Sequence, residues 1–480
     1  MSEQEFFGHI IDNEEVESLS GERFEVWNPW KREVWAEAAE GAAQDAERAV
    51  SSARKAFDEG PWPRLGRVER ARAIHRLADL MEARTDDLAR MDSTNMAKPF
   101  EQATHDVARS VWNFRFFADH QRDHVGEVYP MDTGHHTYSE YGPAGVVAAI
   151  SPWNFPLMMA TWKIAPAIAW GNTCIIKPSE DTPASVTLLG RLAVEAGFPP
   201  GVLNVLNGHG FPAGAALTGS YDVDRVTFTG SSITGRTVMA SAATHLAPVS
   251  LELGGKGANI VFADADLDNA VYWAVEAIFR NAGQICLAGS RLFVHSSIYE
   301  EFLRRFVAAA EKLTVGDPFD PATRFSSLAS KRHFDKVVSY IDAAREAGGR
   351  FLTGGVADDG SWVVRPTIVD NLPLDSAPYC EEIFGPFCVV NSFDTEEEVI
   401  HLANDTRYGL NAMLFTENLS RAHRVASQLR AGTVWVNCFF IRDLRTPFGG
   451  VGDSGVGREG GNFSREFFTE PKAVVMQIAR

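Results

Sequence analysis

GVVAAIS (145–151), NTCIIKPS (172–179), VLNVLNG (202–208) and RVTFTGS (225–231) are four short apolar runs, each reading as a strand that meets a turn. Between them lie helical stretches such as ASVTLLGRLAVEAG (184–197). Strand-like runs alternating with helices predict parallel βαβ units, with ligands at the carboxyl ends of the strands. Upstream, Ala42, Ala46, Ala49, Val50, Ala53, Ala56 and Phe57 recur at helical spacing over 41–59. Val68, Ala71, Ile74, Leu77, Ala78 and Met81 do the same over 67–90. A second βα series is expected after Cys286, where RLFVHS (291–296) leads into IYEEFLRRFVAAAEKL (298–313). Two α/β domains thus flank the loop that carries Cys286.

That loop is FRNAGQICLAGSR (279–291), placed after the strongly helical LDNAVYWAVEAIF (267–279). A cysteine there can present its sulfur and its own backbone N–H to a reacting carbonyl. LELGGK (251–256) carries a lone carboxylate, Glu252, between apolar neighbours and a glycine pair. A thiol nucleophile and a carboxylate base are the minimal equipment for covalent catalysis on a carbonyl. Cys286 alone would read as a small buried hydrophobe.

Composition sets the outer limits. A chain of 480 residues, 45% hydrophobic and 22% charged, suits two or three domains with a large core. A net charge of −18 argues against nucleic acid and against an anionic membrane surface as partners. MSEQEFFGHIIDNEEVES (1–18) is acidic without an apolar stretch, so no signal peptide is visible, and no run is long enough for a membrane span. The five scattered cysteines, Cys174, Cys286, Cys380, Cys388 and Cys438, read as reduced thiols of a cytoplasmic protein. No metal site is expected: His135 and His136 lack acidic or cysteine partners at ligand spacing.

The pattern Phe279, Asn281, Gly283, Gln284, Cys286, Ala288, Arg291 resembles the cysteine motif of the aldehyde dehydrogenase superfamily, and LELGGK resembles its glutamate motif. PWNFP (152–156), KPSE (177–180), FTGS (228–231), EEIFGPF (381–387), PFGG (447–450) and SGVGRE (454–459) extend the similarity in the family's order. The resemblance implies an α/β fold of three parts. A Rossmann-type NAD-binding domain spans 1–124 and 143–252, and an α/β catalytic domain spans 253–453. A small β oligomerisation element takes in 125–142 and 466–480, within which HHTYSEYGPAG (135–145) and KAVVMQIA (472–479) look like edge strands. A homodimer or homotetramer is implied.

The dinucleotide fingerprint GxGxxG follows none of these strands. FTGSSITGR (228–236) instead leaves a strand and opens a helix, where Gly230 frees the turn and Ser231 with the first helical N–H groups suits a pyrophosphate. The resemblance places Lys177 and Glu180 on the adenosine ribose, and Glu382 and Phe384 on the nicotinamide ribose and ring. It adds Ile150, Ser151, Trp153, Ser179, Gly210, Phe228, Thr229, Leu253 and Gly254 to the cofactor contacts. A carboxylate at Glu180 accepts from ribose hydroxyls and repels a 2′-phosphate, which favours NAD over NADP. Standing alone, Glu382 and Phe384 read as a loop-closing acid and a core aromatic.

The implied chemistry is attack by the Cys286 thiolate on an aldehyde. The oxyanion is held by the Asn154 amide and the Cys286 N–H, hydride leaves for the nicotinamide, and Glu252 activates water to release the acid. Lys177 is counted with the catalytic residues as well. Glu252 favours hydrolysis over transfer to coenzyme A.

For the substrate, TVWVNCFFIRDLRTPFGG (433–450) and VARSVWNFRFFAD (107–119) resemble the muconic semialdehyde dehydrogenase group, with Arg442 and Arg109 at the matching arginines. Two guanidiniums suit a substrate carboxylate remote from the aldehyde. Arg109 reads equally as a salt-bridging helix residue, and Arg280 either adds charge at the pocket mouth or caps the helix ending there. Phe155, Met159, Trp162, Leu287 and Phe448 are expected as apolar walls. The stretch PFGGVGDSG (447–455) lacks the lysine common after that glycine pair. A general aliphatic, aromatic or betaine aldehyde is the alternative substrate, and a non-catalytic protein of the same fold is the third reading.

Overall fold

The computed structural model describes residues 5–478 except 358, so the outer ends of the expected segments, 1–4 and 479–480, lie outside the described residues. Its larger sheet has eight strands. Five parallel ones run in the spatial order Leu203–Val205, Thr173–Lys177, Val146–Ile150, Arg225–Thr229, Val249–Glu252. Numbered along the chain this is 3-2-1-4-5, the Rossmann order, with the switch point beside Val146–Ile150. Val146, Val147, Ala148 and Ala149 are fully buried, as a strand covered by helices on both faces must be. The four apolar runs that opened the reading are four of these strands, and the helix Ala184–Glu195 crosses between two of them.

The second sheet corrects one expectation. Its first strand along the chain, Ala258–Val261, precedes Cys286 and pairs in parallel with Arg291–His295 and Asn411–Phe415. The cysteine loop therefore lies inside the second α/β unit, on its return from the helix Leu267–Phe279 to Arg291–His295, and not between two units. ANIV (258–261) is only four residues long and follows the Gly254, Gly255 and Gly257 turn, which hid it. The active loops thus meet between two layers. Glu252 and Thr229 stand at carboxyl ends in the first sheet, whereas Cys286 and Glu382 precede the strands Arg291–His295 and Phe387–Phe393 of the second.

Two smaller sheets complete the chain. Thr469–Gln477 pairs antiparallel with His135–Pro143 over nine residue pairs, and Val128–Tyr129 adds an edge. Glu5–Phe7, Arg23–Asn28 and Glu33–Ala39 form the other. The helix expected over 67–90 is divided: Arg67–Ala83 ends at Arg84, and Thr85–Met96 starts afresh with Asp86 and Asp87 in its first turn. No helix among the described residues is long and apolar enough to cross a membrane, and no cluster of three metal-ligating side chains occurs among them.

Candidate active site

The loop before Cys286 is built from unusual backbone. Asn281 and Ala282 have φ of 51° and 53°, and Gly283 continues at 70°, three successive left-handed residues. Such conformations cost about 1–2 kcal/mol for each non-glycine residue and persist only where contacts fix them. Here the contacts are explicit. Gln284 Nε2 donates to the Asn281 carbonyl at 3.0 Å, Ala329 N–H donates to Gln284 Oε1 at 3.0 Å, and Asn281 Nδ2 donates to the Asn154 carbonyl at 3.0 Å. A Cβ at Gly283 would collide with the Gly385 carbonyl, so this loop packs directly on the EEIFGPF segment.

Asn154 comes from the turn after Val146–Ile150, just before the helix Pro156–Ala169. Its Nδ2 donates to the Gln284 carbonyl at 2.9 Å. An amide has two N–H donors. One fixes the side chain on the cysteine loop, which leaves the second for a ligand oxygen in the cavity that Asn154 and Cys286 both line.

That cavity has a volume of about 420 Å³. It brings together Cys286, Glu252 and Asn154 with Phe155, Met159, Leu287, Phe448, Arg109 and Arg442. It also takes in the cofactor candidates Trp153, Thr229, Gly230, Ser231, Leu253, Gly254, Glu382 and Phe384. Arg280, left open between a helix cap and the pocket mouth, lines the cavity with its guanidinium 5.6 Å from the Phe440 ring.

Other candidates lie elsewhere. Ile150, Ser151, Lys177, Ser179, Glu180, Gly210 and Phe228 stand outside this lining. The Lys177 Nζ donates to the Pro178 carbonyl at 2.9 Å and lies 4.0 Å from Glu180 Oε2, outside the lining that holds Cys286. Glu180 borders a second cavity with Asp181, His209 and Arg332. Trp162 also departs from expectation: it backs the wall instead of forming it. Its ring lies 4.0 Å behind the Arg442 guanidinium and its indole N–H donates to Glu459.

Burial shapes the titration of both reacting groups. The Cys286 thiol is pushed up to about 12 by burial and then by Glu382 and Glu252. Glu252 is raised well above the ordinary carboxylate range by burial and by Glu459, with Lys163, Arg442 and Arg458 opposing. Neither Glu252 oxygen has a hydrogen-bond partner among the described residues. Sequence reading assigned nothing to Glu459 or Lys163, whose buried ion pair spans 3.2 Å beneath the site. A single lysine in the otherwise apolar helix PLMMATWKIAPAIA was the available signal.

The cofactor side carries its own empty donors. The Thr229 and Ser151 hydroxyls are buried at neighbouring strand ends without partners among the described residues, and Ser231 caps the helix Ser232–Ala243 by accepting from Thr234 N–H at 3.1 Å. A Cβ at Gly254 would collide with Glu382, whose Oε1 accepts from Gly255 N–H at 2.9 Å. His333 was not foreseen. Its Nε2 lies 2.7 Å from the Phe384 carbonyl and its ring 4.9 Å from Trp153, which fixes Phe384 at the cavity.

Arg442 is the most telling side chain. Its guanidinium is held between the rings of Trp162 and Phe448, at 4.0 and 3.7 Å, and its Nε and Nη2 are buried without partners among the described residues. Burial and then Arg109 pull its pKa down to about 9, which leaves it charged at neutral pH. Arg109 is also lowered by burial, with Asp443 opposing.

Comparison with known proteins agrees with this geometry. The family model described as "Aldehyde dehydrogenase family" matches residues 16–474. The chain is 45% identical to the 2-hydroxymuconic semialdehyde dehydrogenase of Pseudomonas sp. (strain CF600), over 98% of this chain and 99% of that one. It is 44% identical to aldehyde dehydrogenase family 2 member B4, mitochondrial, of Arabidopsis thaliana, over 98% and 88%. An NAD+ complex of aldehyde dehydrogenase from Bacillus cereus superposes with a TM-score of 0.97 at 39% identity, covering 99% of this chain and 97% of that one. With Cys286, Glu252 and Asn154 gathered in one cavity between a Rossmann-ordered sheet and a second α/β layer, this chain belongs to the aldehyde dehydrogenase family.

Proposed function

We propose that this protein oxidises an aldehyde bearing a remote carboxylate, a semialdehyde of the muconic type from aromatic-ring breakdown, to the corresponding acid with NAD. The observation that carries the substrate class is Arg442. A guanidinium buried with open donors, beside Arg109 and Arg280 in a protein of net charge −18, is a site waiting for an anion. The 2-hydroxymuconic semialdehyde dehydrogenase from Pseudomonas supports the same reading by its name.

The residues divide the work as follows. Arg442 and Arg109 bind the carboxylate, and Phe155, Met159 and Leu287 exclude water around the carbon chain. Cys286 sulfur bonds to the aldehyde carbon, the carbonyl pair moves to oxygen, and the thiol proton passes to solvent as that bond forms. The oxyanion is met by the free N–H of the Asn154 amide and by the Cys286 N–H, donors worth about 3–4 kcal/mol each in such sites. NAD, when bound, accepts the hydride that the carbon releases. Ser231 with the start of its helix suits the pyrophosphate, Glu180 the adenosine ribose, and Glu382 and Phe384 the nicotinamide end. Glu252 then takes a proton from water, whose oxygen attacks the thioester carbon and expels Cys286 sulfur. The domain limits given above, with 125–142 and 466–480 as a homo-oligomerisation element, belong to the same proposal.

A substrate panel tests the class. Comparing kcat/KM for 2-hydroxymuconic semialdehyde, its 5-carboxymethyl analogue, betaine aldehyde and hexanal should rank the carboxylated pair at least tenfold above the others. Equal values, or a lead for hexanal or betaine aldehyde, would favour a general aldehyde dehydrogenase.

A further inference from the structure

Lys98 sits in the short connection between the helices Thr85–Met96 and Phe100–His120, and its side chain is wholly buried. Its Nζ donates to Asp106 Oδ2 at 2.6 Å and to the Asn154 carbonyl at 2.8 Å, and stands 3.8 Å from the centroid of Phe155. The same Asn154 carbonyl accepts from Asn281 Nδ2 at 3.0 Å. Both acceptor positions of that oxygen are therefore filled, one by the ammonium and one by the cysteine loop. With the peptide held from two sides and Nδ2 bonded to the Gln284 carbonyl, Asn154 has little freedom left.

A buried ion pair is a weak source of stability, because desolvation offsets its attraction. The geometric result here is specific. Asp106 and Arg109 lie three residues apart on one helix, hence on one face, and both line the active cavity. Lys98 bolts that helix to the turn carrying Asn154.

We propose that Lys98 is a positioning residue: anchored on Asp106, it aims the oxyanion donor Asn154 at Cys286 and fixes its distance from the carboxylate-binding Arg109. This deepens the function proposed above and rests on its assignment of Asn154.

The test is a mutant cycle read by the pre-steady-state burst of NADH. Lys98→Met with Asp106→Asn removes the link without leaving the Asp106 carboxylate unpaired. It should slow the burst by about ten- to hundredfold, the scale of a misplaced reacting group, with NAD affinity and melting temperature near those of the parent. In an Asn154→Ala background, where the donor is already gone, the same pair of changes should cost less than about twofold, because a group that acts through another is not additive with its removal. An equal loss in both backgrounds, or no loss in the first, overturns the proposal. Should the double variant not fold, Asp106→Asn alone enters the cycle with the same two outcomes. A parent protein that gives no NADH with any aldehyde, or an Asn154→Ala burst at parental rate, instead overturns the functional reading beneath it.

Discussion

The Arg442 guanidinium carbon lies 3.7 Å from the centroid of Phe448, stacked on a ring that itself borders the catalytic cavity. The aromatic face holds the cation without using its N–H donors, and Nε and Nη2 have no partner among the described residues. Removal of this side chain should therefore be felt through the substrate's charge.

Arg442→Ala should lower kcat/KM for a muconic-type semialdehyde by about ten- to hundredfold, the value of one charge-assisted contact of roughly 1.5–3 kcal/mol, and spare an uncharged aldehyde of similar length. Arg109→Ala should act in the same direction. The double variant should lose less than the product of the single losses if, as proposed, both contact one carboxylate. Equal losses for charged and uncharged aldehydes would make these arginines structural.

Cofactor choice should follow Glu180. NAD should exceed NADP in kcat/KM, and Glu180→Ser should narrow the gap by relieving repulsion of the 2′-phosphate. Arg332 Nη2 stands 3.7 Å from Glu180 Oε1, so a cation is already at hand for that phosphate once the carboxylate is gone. A parental preference for NADP would place Glu180 away from the ribose.

Much of this was legible in the sequence, and the limits have physical causes. The buried parallel strands announced themselves because they are apolar throughout, and LDNAVYWAVEAIF is a helix from Leu267 to Phe279 with Asp266 as its cap. The strands of the first forty residues did not, because they are short and interrupted by charges such as Glu25 and Glu37. Cys286, Glu252 and Asn154 were found through local motifs. Lys98 and His333 were missed because their meaning lies in partners 56 and 51 positions away, which no local pattern encodes. Trp162 was misplaced for a similar reason: only the fold shows that Arg442 covers it.

The raised pKa of Glu252 fixes the sign of a pH effect. In the proposed reaction the base is the Glu252 carboxylate, and burial with Glu459 nearby keeps the carboxyl protonated to higher pH than usual. Acid release should therefore be slow at low pH and accelerate as pH rises through that raised value. Measured as steady-state turnover against burst rate, the two should converge towards high pH. Turnover that does not rise with pH above the ordinary carboxylate range would contradict a titrating carboxylate base.

The covalent route through Cys286 and Glu252 is the centre of this account, and mass spectrometry of the Glu252→Gln protein tests it most directly. With NAD and aldehyde, that variant should release one rapid equivalent of NADH, then turn over very slowly, with the acyl group retained on Cys286. Cys286→Ala, carrying no nucleophile, should bind NAD, produce no NADH and show no adduct. Unchanged turnover in Glu252→Gln without an adduct, or sustained NADH production by Cys286→Ala, would contradict it.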